Sequence, residues 1–253
     1  HKIMIYKRAK IYYDGSHYIA IPSENFSHKK GGRKKTKDDE TLVSESKERQ
    51  KTNAIKRRVR LMRKVHLQEW NYFCTFTYDE AKNDEDTFKE KLRNTLKHLV
   101  YRKSWKYIGA WERSPDKQRL HFHGIFYIPQ MIGELIETSD YSTTNHRMQI
   151  AYQNTHFLKY FGRNDFKALG SQADVIQSVR YLMKYISKSG EKLAYGGKLP
   201  TYFLSDVVDE DIACEFGVDN KKAILFDDFT CYDEGELIGT VSQETINQLP
   251  KSN

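Results

Sequence analysis

"QRLHFHGIFYIP", residues 118–129, decides how the rest of the chain is read. It reads as a β-strand, with Leu120, Phe122, Ile125, Phe126 and Ile128 as its apolar content. Side chains two apart on a strand share a face. His121 and His123 therefore project together, close enough to hold one metal ion, while Phe122 faces the other way and can anchor the strand in a core. Gly124 leaves room for a neighbouring backbone or a ligand. Taken alone, the histidine pair fits a structural role as well as a metal site.

The stretch before it adds a third group. "WKYIGAWE" (105–112) reads as a strand and "RSPDKQR" (113–119) as a hairpin turn, so Glu112 can lie beside His121 or His123. Two imidazoles and a carboxylate make a mixed donor set suited to Mg²⁺ or Mn²⁺ in Lewis-acid work. The structural alternative for Glu112 is an ion pair with Arg113 or Arg119, and Asp116 and Glu134 are rival carboxylates.

A helix over 173–190, ending at Gly190, supplies further chemistry. At a hundred degrees per residue, Val175, Ile176, Val179, Leu182, Met183 and Ile186 fall on one side. Gln177, Tyr181, Lys184, Tyr185 and Lys188 fall on the other. The two tyrosines stack one turn apart beside two lysines. A phenol, with a pKa near 10, is a poor nucleophile at neutral pH. Nearby ammonium groups favour the phenolate and steady a developing negative charge. A solvated Tyr/Lys surface is the alternative reading of this face.

Elsewhere "NYFCTFTYD" (71–79) is a short aromatic strand, and 84–102 an amphipathic helix with Phe88, Leu92, Leu96 and Leu99 inward. Helical patterns are expected over about 130–138 and 143–161, with Gly162 as C-cap, and a strand over 165–170. Towards the N-terminus, 10–22 is a hairpin around Asp14-Gly15, 27–40 a charge-dense loop, and 48–67 a basic helix. This order predicts an α+β fold with a central antiparallel sheet flanked by helices. Three parts are expected: 1–70 with hairpin, basic loop and basic helix; 71–200 as the core; and 201–253 as an acidic segment.

Charge is unevenly distributed. Residues 1–200 hold 39 of the 42 basic residues and 22 of the 34 acids, whereas 201–253 hold twelve acids and three bases. A body with net charge +17 suits a polyanionic partner, or simply a solvated surface. Lys34, Lys35, Arg57, Arg58 and Arg60 are candidate contacts to a nucleic-acid backbone. The acidic segment could mask that basic face or pack as an extra element. Cys74, Cys214 and Cys231 are too few and scattered for a disulfide framework or zinc cluster. No apolar run reaches membrane-spanning length and no signal-peptide pattern opens the sequence, so a reducing compartment and no membrane association are expected.

Three segments together resemble the HUH endonucleases, and more closely the rolling-circle replication initiators. "FCTFT" (73–77) resembles their first motif, "HFHG" (121–124) their metal-binding second, and "YLMKYISK" (181–188) the two-tyrosine form of their third, as in microvirus-type initiators. The resemblance spans about 71–190 and implies an RRM/ferredoxin-like core. Relaxases of that superfamily place the tyrosine before the histidines, whereas here the tyrosines follow. The resemblance implies metal ligation by His121, His123 and Glu112, attack on single-stranded DNA by Tyr181 or Tyr185, and assistance from Lys184 and Lys188. It implies a 5′-phosphotyrosine link that conserves bond energy for rejoining, and an origin that can lie in a DNA hairpin. No G-x-x-x-x-G-K-[ST] loop is present, so a separate helicase and a polymerase of the host are implied partners. The implied location is the cytoplasm of a bacterial or phage-infected cell, or the nucleus of a eukaryotic host. Competing readings are an HUH-type transposase, a metal-dependent hydrolytic nuclease without a tyrosine step, and a non-catalytic basic DNA-binding module.

Overall fold

The computed structural model describes residues 5–13, 15, 18–22, 55–56, 58–114, 118–142, 146–189, 193–212, 223–225, 229–233 and 236–242. It is α+β with antiparallel sheets, and it divides into two units: Trp70–Lys198, and His1–Glu69 together with Leu199–Asn253.

The Trp70–Lys198 unit is built on a five-stranded antiparallel sheet. Its strands are β3 (Tyr72–Thr77), β4 (Lys106–Arg113), β5 (Leu120–Tyr127), β8 (Asn164–Ala168) and β9 (Ala194–Gly196), ordered β8-β3-β5-β4-β9. One face carries Cys74, Phe76, Tyr107, Leu120, Phe122, Phe126 and Phe166, which join helix α2 (Glu85–Lys103) in the main core. The inward residues of α2 are Phe88, Leu92, Leu96 and Leu99, as their spacing predicts. Asp84 caps the helix by accepting from the Thr87 N–H at 2.9 Å, and Ser104 ends it in the left-handed region at φ 55°.

Helix α4 (Gln172–Ser189) lies against β4 and β5. Its start is a reciprocal box: the Ser171 hydroxyl accepts from the Asp174 N–H at 3.2 Å, and the Asp174 carboxylate accepts from the Ser171 N–H at 3.0 Å. Val175, Val179 and Leu182 are buried, as the apolar stripe predicts.

The centre of the sheet depends on paired glycines. Gly109 and Gly124 face each other across β4 and β5. A Cβ on Gly109 would strike the Phe122 ring, and one on Gly124 would meet Phe126 Cε2 at 2.8 Å and the Ile108 carbonyl at 2.9 Å. Gly124 is thus an accommodation to backbone and core on the face opposite the histidines; the space it leaves is filled by protein, not by a ligand.

The helices expected over 130–138 and 143–161 are a correction. Leu135–Ser142 (β6) and Arg147–Asn154 (β7) form a two-stranded antiparallel ribbon, and only Thr155–Tyr160 (α3) is helical. Met148, Ile150 and Tyr152 alternate along β7, and the period of two outweighs the helix-compatible composition. Asn154 enforces the change to helix. Its side chain accepts from the His156 and Phe157 N–H groups and donates to the Ile132 carbonyl at 2.6 Å. Gly162 does follow the helix in the left-handed region (φ 103°), its N–H donating to the Phe157 carbonyl.

In the other unit, strands from both ends of the chain form one sheet. β1 (Ile5–Tyr13), β2 (Tyr18–Ile21), β10 (Phe203–Val208), β11 (Ala223–Leu225), β12 (Thr230–Asp233) and β13 (Glu236–Thr240) are ordered β11-β2-β1-β10-β12-β13. Its core includes Ala9, Ile11, Tyr18, Leu67, Phe203, Phe229 and Cys231. Residues 58–66 are helical (α1), with Leu61 and Val65 buried. The acidic segment therefore contributes strands beside those of the N-terminal segment, β1 pairing with β10 from Ile5↔Val208 to Ile11↔Phe203. Among the described residues no helix is long and apolar enough to cross a membrane.

Two substitutions test this account. Gly124→Ala should destabilise the protein by about 1–3 kcal/mol through overpacking, read from the midpoint of urea unfolding. Asn154→Ala should cost about 1–3 kcal/mol in the same measurement, because it leaves buried backbone groups without partners.

Candidate active site

The face of the central sheet opposite the aromatic core carries the polar residues. Strand alternation selects them: Phe73, Thr75 and Thr77 on β3, Glu112 on β4, His121 and His123 on β5. The register sets Thr75 opposite His123, Thr77 opposite His121, and Glu112 opposite His121. The two imidazoles stack with centroids 5.6 Å apart and planes 21° apart.

Each histidine is held at Nδ1. Thr75 Oγ1 lies 3.0 Å from His123 Nδ1, and Thr77 Oγ1 lies 3.0 Å from His121 Nδ1. The Nε2 edges are left for chemistry. His123 Nε2 is 2.8 Å from Glu112 Oε2, so Glu112 does join the pair, reaching the diagonal histidine rather than the one directly opposite. The rival ion pair is not formed: Arg113 binds Glu85 at the start of α2. Among the described residues no three His, Cys, Asp or Glu side chains already stand as a metal-holding group, because the Glu112 carboxylate is engaged by the His123 Nε2 it would accompany as a ligand.

The donor set nevertheless fits a divalent cation. Both rings are fixed through Nδ1 by a neighbouring hydroxyl, the arrangement that second-shell partners give ligating histidines. His121 is also kept in the unprotonated form a metal requires. Burial, then the neighbouring His123, push its pKa down to about 4; Arg119 and Arg163 add to the effect, and Glu112 opposes it.

Tyr181 reaches this face from α4. Its ring meets His123 edge-on at 5.6 Å (88°) and Phe73 at 5.7 Å (79°), while 38% of the residue stays exposed. That contact brings the tyrosine helix and the histidine strand, far apart in sequence, into one site. Lys184 is exposed one turn beyond. Tyr185 and Lys188 lie on α4, but their side chains fall outside the described residues, as do Lys34, Lys35, Arg57 and Asp116 altogether. Arg58 and Arg60 are on α1 in the other unit.

Sequence reasoning missed Thr75, Thr77, Arg119 and Arg163. The threonines were recoverable, since the alternation of "FCTFT" puts both on one face. Arg163 was not: its place depends on β8 pairing with β3, where the Thr77 N–H donates to the Arg163 carbonyl at 2.9 Å.

Residues 71–190 match a family model for replication-associated proteins of the ORF2 type. The matched span contains Thr75, Thr77, Glu112, His121, His123 and Tyr181, and it supports a replication-associated role for this part of the chain. No curated protein and no solved structure matches the chain.

The electrostatics can be measured in the metal-free protein. The His121 ring should titrate near pH 4 by NMR, rather than near the ordinary 6.5. Because the unfolded chain would take up the proton first, stability should fall as pH drops from about 6.5 towards 4.

Proposed function

We propose that the Trp70–Lys198 unit nicks and rejoins single-stranded DNA, with Tyr181 as the attacking group, to start and finish rolling-circle replication. The observation that carries this reading is the Tyr181 ring lying against His123, on the face where Glu112 and His121 converge. A metal-dependent nuclease that activates water has no use for a tyrosine there. The family match over the same residues supports the replicative role.

In this reading His121, His123 and Glu112 hold a divalent ion, Mg²⁺ or Mn²⁺. When bound, that ion supplies Lewis-acid polarisation of a phosphodiester. The residues of the chain do the rest. Tyr181 Oη forms a bond to phosphorus as the P–O3′ bond breaks. The phenolic proton is lost and the 3′ oxygen gains one, leaving a 5′-phosphotyrosine and a free 3′-OH for a polymerase. The number of phosphodiester bonds is unchanged, so the reverse step rejoins DNA without a nucleotide cofactor.

Lys184, Arg119 and Arg163 offer cationic side chains to the phosphate, and the exposed edge of Tyr181 leaves it open to a strand. Tyr185, one helical turn further along α4, would make the second cut, with Lys188 beside the phosphate. Arg58, Arg60 and the basic residues before them would add backbone contacts that position DNA without reading its sequence. A helicase would come from elsewhere.

The test uses a 3′-labelled single-stranded oligonucleotide library with Mn²⁺, resolved on a denaturing gel. A covalent protein–DNA adduct is expected, mapped by mass spectrometry to Tyr181 or Tyr185 and abolished in the Tyr181→Phe, Tyr185→Phe double variant. Cleavage without an adduct would replace this reading by a hydrolytic nuclease. Chelator-insensitive binding without cleavage would replace it by a non-catalytic module.

A further inference from the structure

The strand that pairs with the histidine strand holds a second layer of the site. Resting on the metal-binding part of the reading above, we infer that Thr75 and Thr77 are positioning residues that determine which ring nitrogen of His123 and His121 is offered to a cation, and that Thr75 reverses its hydrogen bond as the cation enters.

The argument starts from register. Each threonine stands directly across from its histidine, and the two Oγ1–Nδ1 distances are both 3.0 Å. A single such bond is common between neighbouring strands. Here there are two, at consecutive same-face positions, and both engage Nδ1 rather than Nε2.

The hydrogen positions at His123 follow from Glu112. A carboxylate only accepts, so with Glu112 Oε2 at 2.8 Å the hydrogen sits on Nε2. In the neutral ring Nδ1 is then an acceptor, and the Thr75 hydroxyl donates to it. Ligation through Nε2 needs the opposite tautomer, with Nε2 bare and the hydrogen on Nδ1. The Thr75 oxygen must then accept. One hydrogen leaves Nε2 and one arrives at Nδ1 through solvent, so the ring's proton count is unchanged.

A hydroxyl satisfies both states by rotating, because it is donor and acceptor at once. A carboxylate or carbonyl at position 75 could serve only the ligating tautomer. Position 75 is also a β-strand site between Cys74 and Phe76, where a β-branched side chain packs well, so valine would preserve shape and remove only the hydroxyl. At His121 the nitrogen away from Thr77 is not the one bonded to Glu112, so Thr77 can accept from Nδ1–H throughout and keep Nε2 ready. His121 is thus preset for the cation, and His123 is released to it when Glu112 turns from hydrogen-bond acceptor to ligand.

The test compares Thr75→Val, Thr77→Val, Thr75→Ser and Thr77→Ser in the full chain. Mn²⁺ affinity is read from the free-ion electron paramagnetic resonance signal, and ring tautomers from histidine ¹⁵N shifts before and after loading with diamagnetic Zn²⁺. The valine variants should bind Mn²⁺ about 10- to 100-fold more weakly. The serine variants should stay within about threefold of the parent, the span of context effects on one hydrogen bond. His123 should change from Nε2–H to Nδ1–H on loading. Valine variants that bind like the parent, serine variants as weak as valine, or a His123 that keeps Nε2–H when loaded would each overturn the inference while leaving the adduct assay untouched. A parent chain that binds no Mn²⁺ would overturn both the inference and the metal-binding part of the function. If Thr75→Val fails to fold, judged by its urea transition, the serine comparison and the parent's tautomer change still decide.

Discussion

The site depends on the pairing register between β4 and β5. At its centre Gly109 faces Gly124, and the volume their side chains would need is filled by the Phe122 and Phe126 rings. A slip of one residue would set a side chain against backbone at that point. It would also turn every side chain of β5 to the other face, sending both histidines into the aromatic core and Phe122 towards α4. Core packing and site geometry are therefore one constraint seen from two sides of a strand.

The two faces divide the work. Below the sheet, Phe76 meets Phe122, Phe126, Phe157 and Phe166, a cluster in which rings from three strands and a helix fix one another. Above it, residues of the same strands carry hydroxyl, imidazole and carboxylate groups. Burial beneath and arginines alongside keep His121 unprotonated, while the edge of Tyr181 remains open to solvent. A rigid, apolar underside lets the polar side hold orientation without a deep cavity.

Much of this was legible in the sequence because it rests on local periodicity. Period two put His121 and His123 on one face, and period 3.6 separated Tyr181 from Val179 and Leu182. The hairpin turn brought Glu112 within reach, though which histidine it chose depended on side-chain reach as well as strand pairing. What escaped was non-local. The ribbon of β6 and β7 was read as helix, because Met148, Ala151, Tyr152 and Gln153 are tolerable in either state and cross-strand partners decide the matter. The joining of early and late segments into one sheet left no local trace at all.

That last joining has a consequence for how the chain comes to be folded. A ribosome delivers Trp70–Lys198 as one uninterrupted stretch, whose sheet needs no strand from outside it. The sheet that contains β1 cannot close until β10, Phe203–Val208, has emerged. During synthesis β1 and β2 must wait as a hairpin with an open edge while the Trp70–Lys198 unit is completed, so the first segment made is among the last to find its partner.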